Sequence, residues 1–409
     1  MTTKPAMHPL DPDLYLDGLP LELFDQIRRD TPCLRVELND PRQIDFTWVV
    51  TRHADVLTVL RDSSRFTVTQ GVTVNKFSMS TAKFGGKPAI LTMDRADHKR
   101  VRPVLGATFT PKAVKLFSES YGRLARDVVA SAVAKGQFDV VEDISIQLPM
   151  YAICDLLGIP AQDRDMVREW GDAQASPLDP EFAPSPEYIL ESINRLWDYA
   201  AELAELRRKD PREDIVSHLV PKIGTPELSM EEYLGMVSLL AVAGNETTRN
   251  NISHSVQALI DHPEVWDALA DADEDLWSTT VDELTRWSSP VIGFRRTATE
   301  DLELHGQQIR AGDSVMFLLN AANYDPQAFD RPERFDMRRR PNPHVAFGAG
   351  EHFCLGAHLA RIETRLVVQE LRRQLRSITP AGPVIYARST HVRGVKRLPV
   401  SVELATEGK

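Results

Sequence analysis

The most informative segment of the chain reads Phe347-Gly-Ala-Gly-Glu-His-Phe-Cys-Leu-Gly356. Gly350 stands four residues before Cys354 and Gly356 two residues after it, and a run with helical periodicity follows at once. Glycines permit positive φ angles and let backbone N–H groups approach the sulfur. A helix N-terminus directly after the cysteine stabilises a thiolate through the helix dipole. The segment therefore predicts a thiolate ligand, with a buried free cysteine as the ordinary alternative.

The spacing of Phe347, Gly350 and Gly356 around Cys354 resembles the haem-binding signature of the cytochrome P450 family. The resemblance covers most of the chain, from the Ala54 helix to the final helix. It implies one haem domain, residues 1–409, that is mostly α with a small segregated β portion (α+β). It implies a long central helix crossing over haem b, with Cys354 as the axial ligand of the iron. The implied activity is that of a haem-thiolate monooxygenase.

Composition and charge argue against several other classes of protein. The 409 residues are 42% hydrophobic and 26% charged, which is ordinary for a globular protein. A net charge of −11 disfavours a nucleic-acid binder that relies on overall positive charge. The three cysteines give no disulfide framework. The N-terminus lacks a signal-peptide pattern, and the apolar run at 236–243 is too short to span a bilayer. We therefore expect a cytoplasmic protein without a membrane anchor.

Apolar periodicity and capping residues predict a helix-rich chain with few strands. Ser229 and Glu232 form a capping-box pattern at the start of a helix that reaches Ile260, about 30 residues and roughly 45 Å long. Gly158, followed by Pro160, predicts the end of another helix. The other predicted helices span 19–29, 54–61, 111–135, 142–157 and 186–209, and the predicted strands lie at 45–51, 296–304, 307–319 and within 383–404.

The long predicted helix carries the polar stretch Ala243-Gly-Asn-Glu-Thr-Thr248, which resembles the oxygen-activating motif of the family. The resemblance implies that Gly244 leaves room for dioxygen beside the iron. It also implies that Thr247 and Glu246 deliver protons through water while bulk water is excluded. We expect the Thr247 hydroxyl to bond back to the helix backbone as well, which would distort the helix locally. The alternative is a plain amphipathic helix with a polar face.

A buried structural network is a further implication of the resemblance. Glu283 and Arg286 form an E-x-x-R pattern, which places both charges on one helix face. By itself this spacing is as typical of a surface ion pair. The resemblance implies that the pair joins Arg334, in Pro332-Glu-Arg-Phe335, and holds the loop that bears Cys354.

The two propionates of haem require cationic or imidazole partners. By resemblance the candidates are His98 and Arg102, spaced i, i+4 on one helix, together with His352 and Arg296. Arg295 could take the place of Arg296, because the register of this segment is uncertain by one residue. For each of them the alternative is a solvated charge.

The chain has no flavin, nicotinamide or iron–sulfur segment of its own, so electrons from NAD(P)H must arrive through separate proteins. We expect a ferredoxin and a ferredoxin reductase, with O2 as the co-substrate. An acidic electron donor would fit a local basic face on this acidic chain, although a solvated charge run is the alternative. The basic residues expected beside the cysteine are Lys99, Arg100, Arg338, Arg339, Arg340, Arg361 and Arg365.

The substrate pocket is expected to be apolar and to lie over the haem face opposite the cysteine. Its predicted walls are Leu240 and Ala243, with Gly244 and Thr247, from the long helix, and Val291 and Ile292, with Phe294 as a further candidate. The segments 72–91 and 172–188 are predicted entry loops or lids. For each apolar residue the alternative is ordinary core packing.

The phrases GNETTRNNISH and RRTATED resemble a bacterial branch of the family that oxidises sterol side chains, methyl-branched lipids and terpene alcohols. The hypothesis is therefore hydroxylation of a sterol, branched-lipid or terpenoid-like substrate. Two alternatives remain open at this point: a haem-thiolate binding or sensor protein without turnover, and a helical protein without haem.

Overall fold

The computed structural model describes residues 8–76, 88–106, 109 and 111–405, the last range without the side chains of 111–118. Helices dominate it. The α-helices are α1 Leu21–Asp30, α2 His53–Arg61, α3 Arg95–Gly106, α4 Pro111–Val133, α5 Gln147–Leu157, α6 Arg164–Ala175, α7 Pro186–Lys209, α8 Ile215–Leu219, α9 Met230–Asp261, α10 Pro263–Ala268, α11 Glu274–Ser288, α12 Leu319–Ala322 and α13 Ala357–Gln374. The mostly α architecture is confirmed.

The long helix α9 forms as predicted and lies at the centre of the helical part. Its N-terminus is closed by the predicted capping box, in which the Glu232 N–H donates to Ser229 Oγ (3.2 Å) and the Ser229 N–H donates to Glu232 Oε2 (2.8 Å). The Glu232 carboxylate also accepts from the guanidinium of Arg100 on α3. Helices α5, α6, α7, α11 and α13 pack against α9, and the largest apolar core surrounds it.

One predicted helix boundary is wrong. A single α-helix was predicted from Glu142 to Leu157, but Val141–Ser145 forms a π-turn and α5 begins only at Gln147. Pro149 has no N–H to donate to the Ser145 carbonyl, so the α pattern cannot run through this point unbroken. The predicted end of the helix is confirmed, because Gly158 caps α5 with φ +78°.

The strands are segregated from the helices, as expected. The bounds are β1 Cys33–Glu37, β2 Phe46–Val50, β3 Phe66–Thr67, β4 Gln137–Asp139, β5 Gly293–Ala298, β6 Leu302–Leu304, β7 Gln307–Ile309, β8 Ser314–Leu318, β9 Leu375–Pro380, β10 Ile385–Tyr386, β11 Val395–Arg397 and β12 Pro399–Leu404. A five-stranded sheet has the order β1-β2-β8-β5-β3, in which β2 and β8 are parallel and the other pairs are antiparallel. β4, β12 and β9 form a three-stranded sheet, and β6 with β7 and β10 with β11 form two-stranded ones.

Two smaller apolar cores contain residues of the five-stranded sheet. One contains Val315 and Phe317 of β8 together with Leu60 of α2 and Val345, and the Cys354 loop packs on this side through Ala349. The other contains the neighbouring β8 residues Met316 and Leu318 together with Ile292. Because strand side chains alternate between faces, the sheet separates the loop side from the far side. No helix in the described ranges is both long and apolar enough to cross a bilayer.

Candidate functional site

The loop that carries Cys354 is a tight turn built on glycine. Gly348 and Gly350 adopt φ +69° and +70°, and the Cys354 N–H closes the loop on the Phe347 carbonyl at 2.9 Å. A Cβ on Gly350 would lie 2.8 Å from the Leu60 carbonyl oxygen of α2, so only glycine allows the loop to approach that helix. Gly356 has φ −86° and open space around it, and it is the N-cap of α13.

Cys354 is accessible to solvent, but protein surrounds its sulfur on most sides. Burial raises the pKa of its thiol, while the Gly356 N–H and the guanidinium groups of Arg102 and Arg361 oppose the rise. Phe347 lies under Arg361, whose Cζ is 4.4 Å from the ring centroid. The loop therefore presents one sulfur beside two fixed positive charges and a helix N-terminus, all of which favour the thiolate.

Four predicted residues, His98, Arg102, Arg296 and His352, meet beside this loop; we call them the cationic cluster. The rings of His98 and His352 lie 4.6 Å apart. Arg102 donates to the carbonyl oxygens of Glu351 (3.1 Å) and Phe353 (2.7 Å). Burial lowers the pKa of His352 to about 3, and the charges of Arg296, His98 and Arg102 lower it further. Arg296, His98 and Arg102 therefore lie close enough to His352 for their charges to act on its ring.

Several polar atoms of the cationic cluster lack partners among the described residues, although Arg102 is hydrogen-bonded and Nδ1 of His98 lies 3.7 Å from Glu351 Oε1. Nε2 of His98 and Nε2 of His352 are buried without a hydrogen bond. The Arg296 guanidinium is buried, donates only to the Arg295 carbonyl oxygen (3.0 Å), and makes no ion pair in the described part of the chain. Burial lowers its pKa to about 10. Unpaired buried donors on this scale indicate a site for an anionic group.

The choice between Arg295 and Arg296 follows from the register of β5. Arg296 is opposite Val315 and lies 5.1 Å over the Phe317 ring, on the face toward the Cys354 loop. Arg295 is opposite Met316 on the other face, where its guanidinium donates to the Gln70 carbonyl. Arg296 is therefore the member of the pair that joins the cationic cluster.

The predicted buried network exists, but one of its members is different. Glu283 and Arg286 are fully buried and form a bidentate pair with two bonds of 2.8 Å. The third member is Arg339, whose Nε lies 3.1 Å from both Glu283 oxygens. The prediction of Arg334 was wrong, because its side chain is exposed and only its carbonyl oxygen takes part, accepting from Arg339 at 2.7 Å.

Thr247 faces a cavity from α9, and its hydroxyl donates to the Ala243 carbonyl at 2.8 Å, as expected for a back-bonded threonine. The predicted role of Gly244 beside the iron is not supported by its position. A Cβ there would lie 2.8 Å from both Cγ1 and Cδ1 of Ile153, so this glycine permits close packing of α9 on α5. Ala243, one residue earlier, is the small residue that lines the cavity.

Glu246 belongs to a buried ionic chain that sequence reasoning missed. Its carboxylate pairs with Arg249 and accepts from Asn250 Nδ2 at 2.9 Å. Arg249 in turn donates to Asp172 of α6 at 2.9 Å. Burial raises the pKa of Glu246 to about 7, and the charge of Asp172 contributes to the rise. Asp172 and Arg249 also line an open polar cleft of about 590 Å³ with Arg168, so the chain of charges reaches toward solvent.

The cavity beside Thr247 is mainly apolar, and its α9 wall is the stripe Leu239, Val242, Ala243, Glu246 and Thr247. Val291 and Phe294 line it as predicted. Two predicted wall residues do not: Ile292 is buried in the core on the far side of the sheet, and Leu240 packs against the main core. One-residue steps along a strand or helix turn the side chain to another face. The remaining lining residues are Val72, Thr73, Asn75, Leu91, Gln174, Ala175, Pro177, Ile189, Ile193, His391 and Val392.

The two predicted entry segments both contribute to this cavity. Val72, Thr73, Asn75 and Leu91 line it from the first segment, while 77–87 lie outside the described residues. Gln174, Ala175 and Pro177 contribute from the second. His391, which the sequence did not single out, lies on the C-terminal segment; its position after Arg388-Ser-Thr gave no signal beyond that of an ordinary loop histidine.

The predicted basic face is largely neutralised by ion pairs. Arg339 is buried in the Glu283 network. Of the other predicted residues, Arg340, Arg361 and Arg365 pair with Asp275, Asp282 and Glu274 of α11, and Arg100 pairs with Glu232. Lys99 and Arg338 are exposed.

Comparison with known protein families and sequences indicates the same family as the motifs in the sequence. The cytochrome P450 family model matches residues 275–382. A steroid C26-monooxygenase from Rhodococcus jostii is 36% identical over 408 residues, covering 97% of this chain and 85% of that protein. A methyl-branched lipid omega-hydroxylase from Mycobacterium tuberculosis is 36% identical over 359 residues, covering 87% of this chain and 83% of that protein.

Solved structures agree in the arrangement of the whole chain. A Mycobacterium marinum cytochrome P450 in complex with pseudoionone superimposes with a TM-score of 0.88 at 34% identity, covering 98% of this chain and 100% of that one. A Bacillus megaterium protein in complex with testosterone gives 0.84 at 28% identity, covering 95% and 99%. The chain belongs to the cytochrome P450 family and is an oxidoreductase of the monooxygenase type, hydroxylating hydrophobic substrates with haem held by a cysteine thiolate.

Proposed function

We propose that this protein is a single-domain haem b monooxygenase, residues 1–409, in which the Cys354 thiolate would hold the haem iron. The observation that carries the proposal is the cationic cluster beside the Cys354 loop, in which Nε2 of His98 and Nε2 of His352 are buried without a partner and the Arg296 guanidinium makes no ion pair among the described residues. Haem b has two propionates, and His98, Arg102, Arg296 and His352 offer donors of the charge and number that two carboxylates require. The residues therefore fit the group.

Bound haem supplies the iron at which O2 is activated. Phe347 and Gly350 hold the loop that presents the sulfur, and the Gly356 N–H and the start of α13 favour its charge. The buried network of Glu283, Arg286 and Arg339 fixes the segment before the loop and has no direct part in the chemistry.

Proton delivery is assigned to Thr247 and Glu246. The Thr247 proton is engaged by the Ala243 carbonyl, so the lone pairs of Oγ1 remain to hold a water molecule in the cavity. Burial raises the pKa of Glu246 above the usual carboxyl range, which brings it closer to that of a group able to take up and release a proton. Arg249 and Asp172 connect it to the polar cleft, while the apolar cavity wall excludes bulk water.

The proposed reaction inserts one atom of O2 into a sterol, branched-lipid or terpenoid-like substrate. The named relatives act on a steroid and on a methyl-branched lipid, and solved neighbours hold pseudoionone and testosterone. The apolar lining supports the same class of substrate. Electrons would come from NAD(P)H through a ferredoxin reductase and a ferredoxin, in the cytoplasm. The exposed Lys99 and Arg338 are candidate contacts for an acidic donor, and no nucleic-acid partner is proposed.

The test is a reduced-CO spectrum of the purified haem protein followed by turnover with a surrogate ferredoxin and its reductase. We expect the spectrum that is typical of thiolate ligation and its loss in Cys354→Ala. Thr247→Ala should keep the spectrum but uncouple electron consumption from product. A thiolate spectrum without product from sterol, branched-lipid or terpene probes would favour a binding or sensor protein, and an unchanged spectrum in Cys354→Ala would refute the ligand.

A further inference from the structure

His391 is a polar side chain fixed in the wall of an apolar cavity. Its backbone is tied on both sides, since its carbonyl oxygen accepts from the Ile292 N–H at 2.8 Å and its N–H donates to Ser389 Oγ at 3.1 Å. The ring meets Phe294 edge-on, with centroids 5.0 Å apart. Nδ1 lies 3.2 Å from the Gly293 carbonyl oxygen. The imidazole is therefore held in one orientation by backbone and aromatic contacts together.

The hydrogen-bonding role of each ring nitrogen follows from these contacts. A carbonyl oxygen can only accept, so Nδ1 carries the proton that bonds to Gly293. Burial lowers the pKa of His391 to about 4, which leaves the ring neutral at pH 7. Nε2 is then a lone-pair acceptor, and the described part of the chain shows a ring hydrogen bond for His391 at Nδ1 and none at Nε2. The ring lines the cavity, so the free acceptor belongs to the cavity wall.

A second acceptor in the same lining also lacks a partner. Gln174 of α6 donates through Nε2 to the Trp170 carbonyl at 3.0 Å, and its Oε1 is buried without a donor among the described residues. The carboxylate oxygens of Glu246, by contrast, are both engaged by Arg249 and Asn250. The cavity wall thus holds two acceptors, on His391 and on Gln174, for which the described residues show no donor.

The charge of the residues that line the cavity restricts the chemical class of the ligand further. None of the described residues that line the cavity is an arginine or a lysine, and His391 is neutral. A carboxylate brought into this lining would lose its hydration without gaining a cationic partner, which is strongly unfavourable. A hydroxyl group carries no charge and supplies the donor that a lone pair on nitrogen requires.

We propose that the substrate is a neutral apolar alcohol whose hydroxyl group donates a hydrogen bond to Nε2 of His391. This inference rests on the function proposed above and specifies the substrate class of the same cavity. This hydrogen bond fixes the hydroxyl group and thereby orients the apolar part of the substrate. The carbon that is oxidised lies elsewhere on the molecule.

The experiment measures dissociation constants of the haem protein from the shift of its ferric absorption spectrum. The probes are two matched pairs, geraniol with geranyl methyl ether and cholesterol with its methyl ether, together with geranic acid. Each ether keeps the oxygen and removes the donated proton. We expect an alcohol to bind about fivefold more tightly than its ether, as one net hydrogen bond of about 1 kcal/mol gives, and geranic acid to bind more weakly than geraniol. Equal binding within both pairs, no binding of either alcohol, or a preference for the acid would overturn the inference.

Three variants assign the preference to one atom. His391→Phe keeps a ring and removes the acceptor, so alcohol and ether should bind equally. His391→Gln keeps an acceptor on a flexible arm and should retain part of the preference. Val291→Ala, on the same cavity wall, is the matched control and should leave the alcohol-to-ether ratio unchanged. An undiminished ratio in His391→Phe would contradict the assignment; if that variant does not fold, the wild-type ratio and His391→Gln decide.

Every protein is first checked by its reduced-CO spectrum, so the two proposals fail in different ways. A wild-type protein without thiolate ligation would refute the proposed function. Intact thiolate ligation with equal binding of alcohol and ether would refute only the role of His391 and leave the monooxygenase proposal standing.

Discussion

Replacing Arg339 should destabilise this protein far more than replacing Arg334, although the two lie only five positions apart in the sequence. Arg339 contacts both oxygens of Glu283 at 3.1 Å and donates to the carbonyl oxygens of Asp330 (2.7 Å), Arg331 (3.3 Å) and Arg334 (2.7 Å). Glu283 keeps its bidentate pair with Arg286 after the removal, so the loss comes mainly from the carbonyl oxygens of Asp330 and Arg334, which lose their donor at a cost of about 1–3 kcal/mol each. The exposed Arg334 side chain should be worth less than about 0.5 kcal/mol.

The measurement is urea unfolding of the haem-loaded Arg339→Met and Arg334→Met proteins beside the wild type. The same substitution in both removes one guanidinium and keeps an unbranched side chain, so the pair is matched in everything except burial. Arg339→Lys should give an intermediate loss, because the ammonium keeps the charge but not the planar fork. Equal shifts of the two midpoints, or a loss below about 1 kcal/mol for Arg339→Met, would refute the network as described.

Three further changes test separate parts of the structure. Gly244→Ala should lower the free energy of unfolding by about 1 kcal/mol, since overpacking against Ile153 outweighs the gain in helix propensity. An unchanged urea midpoint would contradict this, as would a Gly244→Ala change that costs the same stability in an Ile153→Ala background. Asp172→Asn removes a negative charge that raises the pKa of Glu246; the midpoint near neutrality in the pH–rate profile should move to lower pH, and a fixed midpoint would disprove the coupling. Burial holds the pKa of His254 well below its usual value, so the unfolded chain binds that proton first. The contribution of His254 to stability is therefore constant above about pH 6.5 and is lost as pH decreases below it. His254→Gln should flatten that decline in urea midpoints measured across the acid range, whereas an identical slope would argue against it.

Features governed by local interactions could be predicted from the sequence. The start of α9 depends on Ser229 and Glu232, three residues apart, and the end of α5 depends on one glycine with positive φ. The Cys354 loop depends on glycines within seven residues of the cysteine. Each of these signals is complete within one or two turns of chain, so no knowledge of the tertiary structure was needed.

Features that depend on which face a side chain occupies could not be predicted. Arg295 and Arg296 are adjacent, and only the pairing of β5 with β8 decides which one joins the cationic cluster. Arg334 and Arg339 lie in an irregular segment without a period that could favour either. The ionic partner of Arg249 is Asp172, 77 residues earlier in the chain, and no local pattern connects them.

The Glu232 carboxylate serves two helices at once, because it caps α9 and also binds Arg100 of α3. Helix α3 is the one that carries His98 and Arg102 to the cationic cluster. Any shift of α3 must therefore pull on the first turn of α9 or release its cap, at a cost of about 1 kcal/mol for the cap alone. A displacement of α3 that moved His98 and Arg102 would therefore strain or break the cap of α9, the helix that bears Thr247.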